Sequence, residues 1–326
     1  MSSWTAADIP DQSGRTALVT GATSGLGLVT ATELARHGAR VLIGSRNPEK
    51  GAAALATVRA SAGGPEPELL TLDLADLVSV RAAATEVRER HGDRLDLLVN
   101  NAGLMAPPLR LTVDGFESQW GTNHLGHAAL TWLLYPALAT SDGSRVVTVS
   151  SLAHKQGQIV PTELDAASRG AGYTPWSAYG RSKLANLLFA HELHLRLRID
   201  DPGTLSVAAH PGLSSTGLVP AMMSSAPPIA RTVAGTAVRV LGQSAARGAL
   251  PQLYAATAPD VVSGRFYGPS GPGQWRGGPT VVQPNDLAQD ERLAKVVWAL
   301  TAEQTGVDPM PSHVHPSGPS NHVAHG

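Results

Sequence analysis

Short apolar runs alternate with longer helical patterns along most of this chain. The first predicted strand covers residues 16–20, and a glycine-rich turn and a helix ending at Arg36 follow it. The later predicted strands are 40–43, 68–72, 95–99, 145–149, 205–208 and 265–267, and the other main helices are 48–60, 77–90, 116–139 and 176–198. Strands separated by helices of this length imply βαβ units and hence a parallel sheet covered on both faces.

The pattern predicts one doubly wound α/β domain with seven parallel strands. Residues 95–99 (LDLLV) and 146–149 (VVTV) are almost entirely apolar, which is typical of strands buried on both sides. We predict a domain over 14–307, an N-terminal extension over 1–13 and a disordered tail over 308–326. A segment rich in Pro, Ser, Met and Ala, residues 213–242, follows the sixth strand and is predicted to be a lid over substrate.

The first strand runs directly into a glycine-rich turn at the start of the first helix. Gly21 allows the tight turn, Gly25 lets the backbone approach a pyrophosphate, and Gly27 lets the helix pack closely on the sheet. Thr23, Ser24 and Leu26 complete the predicted phosphate-binding turn, where free helical N–H groups face the ligand. This position indicates a Rossmann-type dinucleotide site, whereas the glycines alone would also suit a purely structural turn.

The end of the second strand indicates which dinucleotide is preferred. Folds specific for NAD usually place an acidic residue here, but residues 43–46 read Ile-Gly-Ser-Arg. The guanidinium of Arg46 suits a ribose 2′-phosphate, so NADP(H) is favoured over NAD(H).

Composition narrows the function further. Hydrophobic residues make up 42% of the chain and the formal net charge is −1, which gives no reason to expect nucleic acid or an anionic membrane as a partner. There is no cysteine, so disulfides, thiol nucleophiles and cysteine metal sites are excluded, and no metal is expected. Without a signal-like N-terminus or a long apolar run, we expect a cytoplasmic protein with no membrane span. The histidines after residue 308 are expected to be solvated.

Several further motifs occur in order, and together they resemble the short-chain dehydrogenase/reductase family. Beyond the glycines they are Asp73-Leu74, Asn100-Asn101-Ala102-Gly103, Asn123, Ser150-Ser151, Tyr179-x-x-x-Lys183 and Pro211-Gly212. The resemblance covers roughly residues 15–267. Within the family, residues 149–154, 182–186 and 290–307 are most similar to the branch of retinol dehydrogenases and WW-domain oxidoreductases.

The resemblance implies roles for individual residues. Tyr179 would be the general acid/base, with Lys183 lowering its pKa from one helical turn away, Ser151 stabilising the substrate oxygen, and Asn123 holding a relay water. Implied contacts to the cofactor come from Gly21, Thr23, Ser24, Gly25, Leu26, Gly27, Arg46, Asp73, Leu74, Asn100, Ala102, Gly103, Tyr179, Lys183, Pro211 and Gly212. Alternation along the strand allows only one of Ser150 and Ser151 to reach the site, and the family favours the second.

The expected reaction is hydride transfer between NADP(H) and a carbonyl or alcohol carbon of a hydrophobic small molecule. A reductase of C=C bonds and a non-catalytic NADP(H)-binding regulator remain alternatives. The resemblance also implies a homodimer or homotetramer paired through the helices that carry Asn123 and Tyr179. Residues 161–175 lengthen the segment between Ser151 and Tyr179 and are predicted to be a loop inserted beside the site.

Overall fold

An eight-stranded sheet forms the centre of the molecule in a computed structural model that describes residues 4–201, 203–213 and 243–309. The strand order is β3-β2-β1-β4-β5-β6-β7-β8. Its strands are β1 (Thr16–Thr20), β2 (Arg40–Ser45), β3 (Glu68–Thr71), β4 (Leu97–Asn100), β5 (Arg145–Val149), β6 (Leu205–Ala209), β7 (Phe266–Pro269) and β8 (Pro279–Val281). The order turns back between β1 and β4, so the crevice of a doubly wound fold opens at that point.

Helices connect the strands and cover both faces of the sheet. They are α1 (Gly25–Arg36), α2 (Pro48–Arg59), α3 (Leu77–Arg90), α4 (Ser118–Trp120), α5 (Gly126–Ala139), α6 (Leu164–Ser168), α7 (Pro175–Asp200), α8 (Ala245–Gly248), α9 (Leu250–Thr257) and α10 (Glu291–Thr305). Within the described ranges, no helix combines the length and the apolar character needed to cross a membrane.

The predicted fold class is confirmed, with one strand more than expected. Strands β1 to β7 pair in parallel, whereas β8 adds to the edge of β7 in the antiparallel sense. The sequence pattern missed β8 because it has only three residues, begins with Pro279 and follows two glycines. A strand this short is recognisable only through its partner.

Alternating strand side chains divide the core into two layers. On one face α1, α2 and α9 pack against β1, β2 and β4 through small and branched side chains such as Ala31, Val41 and Leu253. On the other face α3 and α5 pack over the same strands, and α7 and α10 continue that layer towards β6 and β7. This arrangement leaves the carboxyl ends of β1 to β4 open along one edge.

The structure adds detail to three predicted segments. The N-terminal residues from Trp4 onward pack on the domain, since Trp4 meets the ring of Tyr254 edge-on at 5.3 Å and Ile9 is buried. Part of the predicted inserted loop is helical, because it contains a 3₁₀ turn over 161–163 and then α6. The predicted helix over 116–139 begins at Ser118 and changes to a π-helical turn over Gly121–Leu125.

The predicted lid and tail fall largely outside the structural description. Residues 214–242 of the lid and 310–326 of the tail lie outside the described residues. Their assignments therefore stay predictions from sequence.

Helix α10 covers the face that α5 and α7 were expected to use for subunit pairing. Trp298 stacks on Phe189 of α7 at 5.3 Å and meets Trp132 of α5 at 4.8 Å. The guanidinium of Arg196 lies over the same indole at 4.6 Å. A helix of the same chain thus occupies the surface of α5 and α7 around these rings.

Replacing Phe189 by leucine tests how strongly α10 is held. We expect the free energy of unfolding to fall by about 1–2 kcal/mol, because the variant leaves a small cavity and removes the aromatic contacts to Trp132 and Trp298. Denaturant unfolding measures this loss. Trp275→Leu is the control, since that ring is half exposed and its loss is expected to cost under about 0.5 kcal/mol. Equal stability of both variants would show that α10 is only loosely attached.

Candidate active site

A cleft of about 510 Å³ follows the carboxyl ends of β1 to β4. It is lined by Thr20, Gly21, Thr23, Ser24, Gly25, Leu26, Gly27, Gly44, Ser45, Arg46, Asn47, Lys50, Leu72, Asp73, Leu74, Asn101, Ala102, Gly103, Leu104 and Thr122. The structure therefore brings together eleven predicted cofactor residues from four separate segments. An open α/β sheet binds its nucleotides at this position.

Two glycines of the turn after β1 leave no room for a side chain. Gly21 has a φ of +64°, and a Cβ there would lie 2.8 Å from the Cα of Ala102. A Cβ on Gly27 would lie 2.4 Å from the carbonyl oxygen of Gly21 and 2.5 Å from Nδ2 of Asn101. These contacts explain why the turn, the helix and the end of β4 can meet so closely around a ligand.

The hydroxyl of Thr20 connects the glycine turn to the segment after β4. Its Oγ1 accepts hydrogen bonds from the backbone N–H groups of Asn101 at 2.9 Å and Ala102 at 3.0 Å. Nδ2 of Asn101 donates in return to the carbonyl oxygen of Thr20 at 2.8 Å. These bonds hold the two walls of the cleft at a fixed separation, which the spacing of motifs along the sequence did not reveal.

A basic corner lies where β2 enters α2. Arg46 and Lys50 both line the cleft there, and Asn47 begins α2 by accepting a hydrogen bond from the N–H of Lys50 at 2.8 Å. The nearest carboxylate, Asp73, is 3.9 Å from Arg46 in an exposed pair of little strength. Lys50 was missed in the sequence, although it lies in the first turn of the predicted helix 48–60 and only four residues after Arg46.

Five predicted cofactor residues lie outside the cleft lining, including the two on α7. Asn100 was predicted to contact the cofactor, but as the last residue of β4 its side chain points to α5 and donates to Thr131 at 2.9 Å. Its neighbour Asn101 lines the cleft instead, since successive side chains point to opposite faces. Pro211 and Gly212 follow β6 beside His210, where they border the undescribed segment.

The paired serines after β5 have different environments. Ser150 is buried, and its hydroxyl donates to the carbonyl oxygen of Lys183 at 2.8 Å. Ser151 is partly exposed, and its hydroxyl is hydrogen-bonded to Tyr179. His154 supports this position, because its Nδ1 is 2.6 Å from the carbonyl oxygen of Ser151. The arrangement favours Ser151 as the residue that meets a substrate.

Helix α7 carries Tyr179 and Lys183 on the same face. Nζ of Lys183 lies 5.9 Å from the centre of the Tyr179 ring and donates to the carbonyl oxygen of Val149 at 3.1 Å. A Cβ added to Gly103 would be 3.5 Å from the same Nζ. The end of the dinucleotide cleft at Gly103 therefore adjoins Lys183.

The pKa of Tyr179 differs from expectation. Burial raises the pKa of its hydroxyl above 10, and the hydrogen bond with Ser151 lowers it by less. The predicted lowering by Lys183 is therefore wrong for the protein without cofactor. Burial also lowers the pKa of Lys183, which weakens the charge that would favour a phenolate.

Asn123 lies in the π-helical turn before α5 and is fully buried. Its Oδ1 accepts from the N–H of Leu104 at 2.7 Å, while its Nδ2 donates to the carbonyl oxygen of Leu104 and to Ser182, each at 2.9 Å. The side chain thus connects the β4 segment to α7. These bonds position the site, and the water relay through Asn123 stays a prediction.

His127 joins two parts of the site. Its Nδ1 is 3.0 Å from the carbonyl oxygen of Asn123, and its Nε2 is 2.8 Å from Oγ1 of Thr20. Burial lowers the pKa of His127 to about 4. The neutral ring can therefore donate from Nδ1 to Asn123 and accept at Nε2 from Thr20. Only the spacing of four residues from Asn123 hinted at the first bond.

Known proteins share this architecture. The family model for the short chain dehydrogenases matches residues 15–224, which include the glycine turn, the serine pair and the Tyr-Lys pair. This chain belongs to the short-chain dehydrogenase family. Its similarity to named retinol dehydrogenases places it in that branch, as the sequence motifs predicted.

Similarity to individual proteins extends over nearly the whole chain. Human retinol dehydrogenase 13 is 37% identical over 297 residues, covering 90% of this chain and 86% of that protein. Mouse polyprenol dehydrogenase is 38% identical over 308 residues, covering 91% of this chain and 86% of that protein. A crystal structure of an uncharacterised protein from Mycobacterium paratuberculosis is 44% identical with a TM-score of 0.77, covering 95% of this chain and all of that one.

Lys183 of this short-chain dehydrogenase is expected to lower its stability at neutral pH. Burial shifts the pKa of Lys183 from 10.5 to about 8, so the unfolded chain holds this proton more tightly. The charged lysine then costs the folded state roughly 3 kcal/mol below pH 8, and the cost disappears as the pH rises past 10.5. Lys183→Met is expected to increase the free energy of unfolding by about 1–3 kcal/mol at pH 7, with a smaller gain at pH 10. A less stable variant at pH 7 would contradict this sign.

Proposed function

We propose that this protein is an NADP(H)-dependent oxidoreductase that transfers a hydride between nicotinamide and a carbonyl or alcohol carbon. The observation that carries the proposal is the position of Ser151, Tyr179 and Lys183 beside the end of the dinucleotide cleft at Gly103. A nicotinamide bound there would supply the hydride in reduction and accept it in oxidation. The protein supplies a proton, a hydrogen bond to the substrate oxygen, and the relative orientation of the two reactants.

Tyr179 acts as the general acid in reduction and as the general base in oxidation. In the free protein its raised pKa keeps the phenol protonated and ready to donate. Ser151 donates a hydrogen bond to the substrate oxygen, where negative charge develops. For the oxidative direction Tyr179 must lose its proton, and the positive charge of an oxidised nicotinamide favours that loss.

The preference for NADP(H) rests on the basic corner formed by Arg46 and Lys50. Two cations at the end of β2 suit a ribose 2′-phosphate, because a guanidinium and an ammonium can both donate to its oxygens. Asp73 is the nearby carboxylate, and it follows β3 rather than β2. A carboxylate at the end of β2 would be expected for NAD(H).

An apolar alcohol or carbonyl compound is the proposed substrate class. The relatives with 37% and 38% identity are named for retinol and polyprenol, both apolar alcohols. In this chain Trp176 meets the ring of Tyr179 edge-on at 6.1 Å and is 40% exposed. An exposed indole next to the proposed acid/base offers an apolar surface to a substrate.

Cofactor binding and product analysis test the proposal. The protein is titrated with NADPH and NADH by cofactor fluorescence, and then given retinal, aliphatic aldehydes, ketones and enones. Tighter binding of NADPH, with alcohol products from carbonyl substrates, is the expected result. Reduction of C=C bonds alone would indicate an enone reductase. Tight NADPH binding without turnover would indicate a regulator. Failure to bind either cofactor would refute the proposal.

Subunit pairing and location are further parts of the proposal. Because α10 packs on α5 and α7 through Trp298, a homodimer or homotetramer would pair through other surfaces. Light scattering of the purified protein measures its mass in solution. We also propose a cytoplasmic location, which cell fractionation tests.

A further inference from the structure

A second cleft lies along the C-terminal half of α7, which we call the α7 groove. It holds about 460 Å³ and shares no lining residue with the cofactor cleft. Its apolar surface includes Leu187, Ala190, Leu195, Phe266, Val281 and Val282. A volume of this size is within the range of small-molecule sites.

The α7 groove has positive charge at one end. Arg198 is near the end of α7, and Arg265 immediately precedes β7, so both lie towards the amino ends of β6 and β7. In the described part of the chain neither guanidinium has an ion-pair or hydrogen-bond partner, and no Asp or Glu lines the groove. The apolar residues Leu187 and Phe266 lie farther along, towards the carboxyl ends of the strands. The groove is therefore amphipathic along its length.

The acidic residues nearest in sequence are absent from the groove lining. Asp200 at the end of α7 and Asp201 after it act on Tyr135 of α5, where burial and these two carboxylates raise the pKa of the hydroxyl. Asp260, five residues before Arg265, accepts a hydrogen bond from the hydroxyl of Tyr254. Arg198 and Arg265 instead act on His194, whose pKa is lowered first by burial and then by Arg198, His191 and Arg265. The positive charges therefore converge on His194 without a neutralising carboxylate in the groove lining.

Two histidines give the α7 groove fixed polar groups. Nδ1 of His194 is 2.9 Å from Oγ of Ser263, which itself accepts from the N–H of Ser206 at 3.1 Å. This network fixes the ring and leaves its Nε2 for a ligand. Nε2 of His191 is buried and has no hydrogen-bond partner among the described residues. A buried polar atom without a partner is costly, because its lost hydration is not compensated.

We propose that the α7 groove binds a linear aliphatic carboxylate, with its chain on the apolar surface and its carboxylate between Arg198 and Arg265. Guanidinium groups match a carboxylate in charge and in planar geometry. Nε2 of His194 can donate to that anion in the tautomer whose Nδ1 accepts from the Ser263 hydroxyl. This site does not depend on the proposed oxidoreductase function, because the groove and the cofactor cleft have no residue in common.

Calorimetric titration with decanoate, below its micelle concentration, tests the site in the full-length protein saturated with NADPH. One decanoate is expected to bind per chain. The affinity for 1-decanol is expected to be lower by at least about tenfold. Combining Arg198→Gln with Arg265→Gln is expected to weaken decanoate binding about tenfold. The matched control combines Arg36→Gln with Arg292→Gln, two exposed arginines outside the groove, and is expected to bind as the wild type does.

A second measurement reports on the groove itself. The ring of His194, followed by NMR, is expected to titrate at higher pH when decanoate is bound, because a nearby anion favours the imidazolium, and to stay unchanged with decanol. Equal affinity of decanoate and decanol for the groove, followed through the His194 signal, would overturn the proposal. So would unchanged binding in the double arginine variant, tighter binding of decyl phosphate than of decanoate, or burial of the groove in a stable dimer.

Discussion

Tyr179→Phe is expected to reduce turnover of carbonyl substrates by about 10²–10⁴-fold, the usual contribution of a positioned proton donor. The variant removes only the hydroxyl that is hydrogen-bonded to Ser151. Because the ring remains beside Lys183, the cleft keeps its shape. The dissociation constant for NADPH should therefore change by less than about threefold, which corresponds to about 0.7 kcal/mol of binding free energy.

Tyr254→Phe provides the matched control for this experiment. It removes a hydroxyl that bonds to the exposed Asp260, outside the cofactor cleft, and should leave turnover unchanged. Steady-state rates with saturating NADPH and a carbonyl substrate measure both variants. Full activity in Tyr179→Phe would assign the proton transfer to another group and remove the central step of the proposed reaction.

Arg46→Asp is expected to reverse the cofactor preference. The variant removes a guanidinium that would donate to the 2′-phosphate, and its carboxylate can accept from the 2′-hydroxyl of NADH. Loss of a charged hydrogen bond, together with repulsion of the phosphate, should raise the KM for NADPH by about 10²-fold. The KM for NADH should fall or stay constant, because that cofactor has no 2′-phosphate.

A change of charge elsewhere separates this local effect from a general electrostatic one. Arg292→Asp makes the same charge change in the first turn of α10, where an acidic residue is tolerated and no cofactor residue is near. Its KM for NADPH should match that of the wild type. Lys50→Gln is expected to have a smaller effect than Arg46→Asp in the same direction. If Arg46→Asp leaves both KM values unchanged, the basic corner does not bind the 2′-phosphate of NADPH.

The order of elements and the main site motifs were predictable from sequence because they depend on local patterns. An apolar run between two helical patterns predicts a buried parallel strand wherever it occurs, and all seven such strands are present. The glycines at 21 and 27 were recognisable for the same reason, since the chain itself brings a tight turn and a helix start together. The spacing of Tyr179 and Lys183 also places both on one face of α7 without any tertiary information.

Residue-level errors occurred where the result depended on the last residue of an element. Residues 95–99 were predicted as the fourth strand, but β4 runs from Leu97 to Asn100. That shift makes Asn100 a strand residue bonded to Thr131 and leaves Asn101 in the cleft. A shift of one residue moves a side chain to the opposite face of a strand. Sequence patterns do not locate strand ends to within one residue.

Contacts between distant parts of the chain were decided only by tertiary structure. His127 bonds to Thr20 across 107 residues, and Trp298 packs between α5 and α7 although both were expected to face another subunit. The pKa of Tyr179 depends on how deeply the fold buries it, which opposes the lowering that its spacing from Lys183 suggested. Sequence by itself determined which residues could form a dinucleotide cleft and a proton donor. The fold decided their partners and their burial, because hydrogen bonds and desolvation depend on distances that only packing establishes.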